Sequence, residues 1–175
     1  ENTTILGALK LMGNLSNGLN YGLINALASE EKGIWKADID TLDSKDSIVE
    51  PQTNYSVGRL EVPLINDVSR VGIMGTNVSR KNASGATVMG FDWKLGFLNN
   101  RLYSNGQIMH SNKDQILGNA HRFNLMYTDP SFWGVRTWYG YLDEQFDIND
   151  LGFLRRNNMS WMGAKVILRK DDPWG

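Results

Sequence analysis

Residues 85–98 read GATVMGFDWKLGFL and alternate between two kinds of side chain. Small or charged residues, including Asp92 and Lys94, fill the positions between large apolar ones. Successive side chains of a strand point to opposite faces, so the pattern predicts a strand with one apolar face. A helix, with about 3.6 residues per turn, would spread the same residues around its circumference. The apolar set is Met89, Phe91, Trp93, Leu95 and Phe97.

The predicted strand is long. Strands of soluble sheets usually have about 5–6 residues, whereas a strand that crosses a bilayer needs about 9–11. Residues 85–98 exceed both lengths. The apolar face of this strand therefore meets either a protein core or lipid, and the rest of the chain must decide between them.

Composition narrows the class of protein. The chain has 175 residues, enough for one domain, and a net charge of −1, which gives no case for nucleic-acid binding. It contains no cysteine, which excludes disulfides and thiolate metal sites. No apolar run approaches the ~18 residues of a membrane-spanning helix. No motif indicates a cofactor. We interpret residues 1–175 as a single segment, a fragment of a longer chain.

Eight further stretches alternate in the same way and are separated by turn-forming residues. The sequence thus predicts an all-β, antiparallel up-and-down β-barrel, or part of a larger transmembrane barrel, with about nine long strands. Residues 30–52 are predicted as a long loop, 111–118 as a polar connection, and Asn99-Asn100 as a two-residue hairpin turn. The further strands are 5–14, 19–28, 54–64, 69–79, 102–110, 120–128, 132–142 and 158–169.

Two features favour lipid over a protein core. Aromatic residues recur near strand ends, as in the girdles of membrane barrels, and charged residues lie opposite the apolar set. In a dry core those charges would need complete pairing, whereas a water-filled lumen hydrates them. The apolar set above is the lipid-facing candidate. The strand-end aromatics are Tyr21, Tyr127, Phe132, Trp133 and Trp161. The lumen-facing candidates are Arg59, Asp92, Lys94 and Arg122.

Two acidic loops are weaker candidates for chemistry. Calcium binds several oxygen ligands, but the first loop lacks the glycine and glutamate spacing of a calcium-binding loop, so solvation is the better interpretation. Carboxylates of the second loop would suit a glycosidase only as a correctly spaced pair, and we expect them to be solvated or bound to Arg155 and Arg156. The first loop carries Asp38, Asp40, Asp43 and Asp46. The second loop carries Asp143, Glu144, Asp147 and Asp150.

Three segments carry a family resemblance: NYGLINALASEE at 20–31, EPQTNYSVGRLEVPL at 50–64 and FDINDLGFLRRNN at 146–158. They resemble a bacterial envelope family of unknown function. Its members carry a carbohydrate-binding module of the family-nine type ahead of a C-terminal outer-membrane barrel. The resemblance implies a barrel segment without a reaction of its own.

The predicted function is that of a segment of a Gram-negative outer-membrane β-barrel. Its role would be envelope structure, solute passage or anchoring of an external sugar-binding module, without catalysis. Its partners would be membrane lipid, carbohydrate through a module outside this chain, and other envelope proteins. The alternatives are a soluble or secreted β-barrel that binds a carbohydrate or an apolar ligand, and a hydrolase that uses the rim carboxylates.

Overall fold

The computed structural model describes residues 3–36, 44–64 and 66–169, and every regular element among them is a strand. In chain order the strands are β1 (Ile5–Asn14), β2 (Asn20–Ala28), β3 (Glu31–Lys36), β4 (Ser44–Glu50), β5 (Thr53–Pro63), β6 (Arg70–Arg80), β7 (Ala83–Phe97), β8 (Leu102–Lys113), β9 (Ile116–Thr128), β10 (Trp133–Leu142) and β11 (Met159–Leu168). Nine of them form one antiparallel sheet in the order β1-β2-β5-β6-β7-β8-β9-β10-β11. The predicted all-β fold with nine long up-and-down strands is confirmed.

The register of the sheet extends the alternation of β7 to its neighbours. Phe91 pairs with Ile73 of β6 and with Ile108 of β8, so the apolar residues of the three strands lie on one face. Asp92 pairs with Gly72 and Gln107, which lie on the opposite face. We call these the apolar face and the polar face. Antiparallel hydrogen bonds join every pair of neighbouring strands, so the register couples all nine strands.

The apolar face is uncovered within the described part of the chain. Exposed fractions are 52% for Ile73, 58% for Met89, 42% for Phe91 and 48% for Leu125. The buried apolar residues, by contrast, are few and mostly small: Ala28, Val78, Ala86, Ala120 and Phe146. Monomeric soluble proteins rarely expose contiguous apolar patches above a few hundred Å². The described residues thus form a sheet with one bare apolar side.

The prediction of a long loop over residues 30–52 was wrong for most of that stretch. β3 and β4 form a separate antiparallel hairpin, in which Gly33 pairs with Ser47 and Lys32 pairs with Ile48. The high polarity of the stretch concealed its alternation, while Ile48 and Val49 are β-branched and favour an extended chain. Of the weak calcium candidates, Asp38, Asp40 and Asp43 lie outside the described residues.

Two turns also differ from their predictions. The chain reverses after β7 through the four residues 98–101 rather than through two, although Asn99 and Asn100 do adopt the positive φ that was expected. The connection predicted over 111–118 is shorter, because β8 and β9 extend to a two-residue turn at Asp114 and Gln115, both with positive φ. Short side chains that tolerate this conformation are typical of tight hairpins.

An aromatic cluster crosses the apolar face from β7 to β10. The ring of Trp93 lies 5.4 Å from that of Phe123, although β8 runs between them. Gly106 on β8 provides the space, because an added Cβ would meet the Trp93 ring and would lie 2.6 Å from the Arg122 carbonyl oxygen. Trp93 Nε1 also donates a 3.1 Å hydrogen bond to Ser104 Oγ. The missing side chain at Gly106 thus leaves the space into which the indole ring of Trp93 packs.

Gly106→Ala should therefore destabilise the sheet by about 1–3 kcal/mol, the usual cost of overpacking. Gly58→Ala is the matched control, since it lies on the same face and an added Cβ there meets nothing within 4 Å. Urea unfolding in detergent measures both variants. Equal stability of the two would contradict this role of Gly106.

Candidate functional site: the polar face and the loop that crosses it

The four lumen-facing candidates from the sequence share the polar face. Arg59 of β5 binds Asp92 of β7 through two hydrogen bonds, Nη1–Oδ2 of 2.8 Å and Nη2–Oδ1 of 3.0 Å. The pair passes over Gly72 of β6, where an added Cβ would lie 3.0 Å from both partners. Lys94 lies one position further along this face of β7, and Arg122 lies on it in β9.

The ion pair belongs to a small network. Arg59 Nη2 lies 3.1 Å from Glu61 Oε2, and Arg70 Nη1 lies 3.5 Å from Glu61 Oε1. Asn20 Nδ2 donates to the same Oε1 at 3.2 Å. The side chains of the charged members remain 25–38% exposed. The network therefore organises a wet surface rather than a dry core, and each pair adds little to stability.

The second acidic loop folds back over the polar face. We call residues 143–158, between β10 and β11, the returning loop. Its Asp147 N–H donates a 3.0 Å hydrogen bond to Ser111 Oγ of β8, and Asp150 reaches Arg80 of β6. Neighbouring strands are about 4.8 Å apart, so the reach from β10 to β6 is about 19 Å. The loop thus lies across four neighbouring strands instead of extending away from the end of the sheet.

Charge pairs hold the returning loop in place. Asp150 has a side chain only 9% exposed, and it accepts a short hydrogen bond from Arg80 Nη2. Lys113 Nζ lies 3.0 Å from Asp150 Oδ2 and 3.3 Å from Asp147 Oδ2. Two carboxylates of the loop and two cations of the sheet therefore form one cluster. Removing Arg80 would leave the nearly buried Asp150 carboxylate with Lys113 as its remaining partner in the cluster.

Apolar packing also holds the returning loop against the sheet. Phe146 is the one large apolar side chain of the described residues that is almost fully buried, at 1% exposure. Its backbone lies directly against Gly118 of β9, where any Cβ would overlap it. Full burial of such a side chain stabilises by about 1.5–3 kcal/mol. Gly118 thus allows the close approach of loop and sheet that buries Phe146.

Hydrogen bonds within the loop and contacts with the sheet both lower the pKa values of the loop carboxylates. The Asn149 backbone N–H, followed by Lys113, lowers the pKa of Asp147 in spite of partial burial. Burial alone would raise the pKa of Asp150, but the hydrogen bonds and charges of Arg80 and Lys113 outweigh it and the pKa is lowered. Both carboxylates are consequently ionised at neutral pH.

A cavity of about 210 Å³ lies between the returning loop and the sheet. Ile148 and Leu151 of the loop form one wall, and Met74, Val88 and Met109 of the sheet form most of the other. Arg59 and Asp92 border it as well. The loop therefore leaves a mainly apolar gap beside the ion network, and it narrows the space above the polar face.

The loop carboxylates were expected to be solvated or bound to Arg155 and Arg156, but two of them, Asp147 and Asp150, bind cations of the sheet instead. Within the described ranges the ion pairs of Asp147 and Asp150 go to Arg80 and Lys113, which lie on the sheet and not on the loop. Of the other two acids, Asp143 accepts hydrogen bonds from the Asn119 backbone and side chain, and Glu144 contacts the Gln145 side chain. No three His, Asp or Glu side chains of the described part of the chain are grouped to hold a metal ion.

Several residues of the site escaped the sequence analysis: Arg80, Lys113, Ser111 and Gly118. They are far from the loop in sequence, and only the register of β6 to β10 brings them beneath it. Ser111 and Gly118 also fell within the predicted polar connection 111–118, so their positions in β8 and β9 were not predicted. Nothing in the sequence pattern indicated that a loop covers this face.

The fold and this site define an all-β domain with a nine-stranded antiparallel sheet, a separate two-stranded hairpin, and an ordered loop over the polar side of the larger sheet. Residues 1–174 match the model of a family described as a domain of unknown function (DUF5916), and the chain belongs to that family. The membership agrees with the resemblance to a family of unknown function. No curated protein and no solved structure matches the chain. No helix of the described residues has the length and apolar character to span a membrane.

Asp150→Asn should loosen the returning loop, because Arg80 loses its anionic partner on the loop and Lys113 keeps only Asp147. Charged hydrogen bonds contribute about 1.5–3 kcal/mol, so backbone amides over 147–154 should exchange roughly 10- to 100-fold faster. Hydrogen exchange with mass spectrometry measures this. Glu144→Gln, on the same loop but exposed, is the control, and identical exchange in the two variants would argue against the cluster as the anchor.

Docking of the loop should also depend on pH. Despite its burial, Asp150 has its pKa lowered by Arg80 and Lys113 of the sheet. The Asn149 backbone N–H lowers the pKa of Asp147 and Lys113 adds to this effect, so the docked state binds fewer protons. The contribution of the two carboxylates is therefore complete above the ordinary aspartate value of about 3.9 and is lost as the pH falls through the lowered values. Pepsin cleavage within the loop should stay slow at pH 5 and accelerate below pH ~3.9. A peptide of the loop sequence corrects for the enzyme's own pH dependence; release already at pH 5 would refute the assignment.

Proposed function

We propose that this domain is part of the wall of a bacterial outer-membrane β-barrel. In this proposal the apolar face contacts lipid, and the polar face with its returning loop lines an aqueous lumen. The domain has a structural and solute-passage role in the envelope and performs no catalysis. One observation carries the proposal. The apolar side chains on one face of the described sheet are exposed, and the charged side chains of the sheet lie on the other face.

Strand length supports a membrane-spanning role. The nine strands of the sheet have 9–15 residues, against the about 9–11 that a tilted spanning strand requires. Trp161, which was expected among the strand-end aromatics, lies on the polar face instead. Aromatic rings do lie on the apolar face at other strand ends, where the ring centres of Tyr127 and Trp133 are 5.2 Å apart. Such rings suit the interface between hydrocarbon and water.

The polar face supports a wet lumen. Its Arg59, Asp92 and Glu61 side chains are partly exposed, and Arg59–Asp92 and Arg70–Glu61 pair across strands, as charges hydrated from one side can do. The returning loop narrows the space above this face. A loop held there by charge pairs would limit the size of the solutes that pass.

Strand direction bears on how a barrel would close. In a nine-stranded antiparallel sheet the edge strands β1 and β11 run in the same direction, so a direct bond between them would be parallel. An antiparallel barrel that includes this sheet would therefore need an odd number of further strands. We propose that these belong to the same outer-membrane protein. The family resemblance adds a family-nine-type sugar-binding module, which such a barrel would anchor at the cell surface.

A charge placed on each face tests the proposal. Phe91→Arg puts a cation near the middle of β7 on the apolar face, and Gln107→Arg puts one near the middle of β8 on the polar face. Arginine at the lipid-facing midplane costs about 2–4 kcal/mol, whereas one facing the lumen costs little. Refolding into phospholipid vesicles should therefore fail or weaken strongly for Phe91→Arg alone.

The same experiment separates the soluble alternative. A protein that remains monomeric without detergent, and in which both substitutions have the same small effect, would contradict the membrane proposal. Refolding yields are compared by flotation of the vesicles, with the unsubstituted protein as reference.

A further inference from the structure

The polar face of β9, β10 and β11 differs from the rest of the sheet in charge. These three strands contain no Asp or Glu, and their polar face carries Arg122, Arg136 and Lys165, all exposed. None of the three has a carboxylate within 4.0 Å among the described residues, in contrast to Arg59 with its two acidic partners. These three strands thus present cations that have no paired carboxylate in the part of the chain that the structure describes.

Two indole rings lie among these cations. Trp138 of β10 extends over Gly163 of β11, and Trp161 of β11 extends over Gly140 of β10. At both glycines an added Cβ would overlap the ring, so each indole occupies the space left by a missing side chain. Trp161 remains 38% exposed. Together they form a pair of aromatic platforms close to the sheet surface.

The cations are placed around these platforms. Arg122 pairs with Gly140, the residue beneath Trp161, and the guanidinium carbon of Arg136 lies 6.0 Å from the Trp138 ring centre. Asn124 Oδ1 accepts 2.9 and 3.2 Å hydrogen bonds from Arg136, which orients the guanidinium. Arg155 and Arg156 of the returning loop border a further cavity beside Trp161. The two indole rings therefore lie beside arginine side chains, and the guanidinium of Arg136 is held in a defined orientation.

We infer that this surface binds acidic saccharides, that is, chains of sugar units that carry carboxylate groups. An indole contacts the apolar face of a pyranose ring, while its N–H remains available for hydroxyl groups. Guanidinium groups bind carboxylates through paired hydrogen bonds. Two platforms on neighbouring strands suit more than one sugar unit. The inference rests on the proposed function, because it names the solute class that would meet the lumen-facing side.

Calorimetric titration of the full-length protein in detergent tests the site, with trigalacturonate as the acidic probe and maltotriose as the uncharged one. The paired variant Arg122→Gln and Arg136→Gln should weaken trigalacturonate binding at least tenfold, and Trp161→Ala should weaken it as well. Trp161→Phe, which keeps a flat ring, should restore part of it. Arg101→Gln, an exposed arginine in the turn after β7, is the matched control and should change nothing.

Each outcome decides the inference. Trigalacturonate binding that is absent from the unsubstituted protein, or unchanged in both the arginine and the tryptophan variants, would overturn it. Citrate that binds as tightly as trigalacturonate would overturn the saccharide part. Because insertion into vesicles is measured on the same preparations, a protein that inserts but does not bind refutes this inference alone, and one that fails to insert refutes the proposed function.

Discussion

The two-residue period of β7 is the constraint on which the rest of the structure depends. Antiparallel pairing transmits its alternation to β6 and β8, where Phe91 lies beside Ile73 and Ile108 while Asp92 lies beside Gln107. A slip of one residue would exchange the two faces of a strand, so the register must be held throughout the sheet. One apolar and one polar surface then follow for all nine strands. The returning loop, the ion networks and the indole platforms all depend on this separation.

Glycines in the strands make room for several close contacts on the apolar and polar faces. Gly72 allows Arg59 to reach Asp92 over an intervening strand, and Gly118 allows the returning loop to lie against β9. Gly106 allows Trp93 to meet Phe123 on the other face. At Gly72 and Gly106 a side chain of one strand lies over the neighbouring strand, and at Gly118 the backbone of the returning loop lies over β9. These three glycines are therefore sites of close approach.

The sequence predicted the strands of the large sheet well, because the alternation that defines a strand is visible within each short stretch of residues. Alternation in 85–98 and in eight other stretches identified every strand of the nine-stranded sheet, and the parity of Arg59, Asp92, Lys94 and Arg122 placed them on one side. The hairpin of β3 and β4 was missed because its polar residues dilute the alternation. The partners of Asp147 and Asp150 were missed for a different reason. The returning loop docks through contacts with Lys113 and Arg80, which lie 34 and 70 residues away in the sequence, and no local pattern indicates such contacts.

The position at which the returning loop docks determines how charge is distributed over the polar face. Its anchors lie on β6 and β8, so Asp147 and Asp150 neutralise cations over that part of the sheet. The cations of β9 to β11 lie beyond these acids, and those strands supply none of their own. Ionised loop carboxylates thus hold the loop and at the same time leave the positive charge concentrated on one side of it. A solute that moves along the polar face would meet a mixed-charge surface near Arg59 and a cationic, aromatic one near Trp138, so the loop would separate two chemically different regions of the same wall.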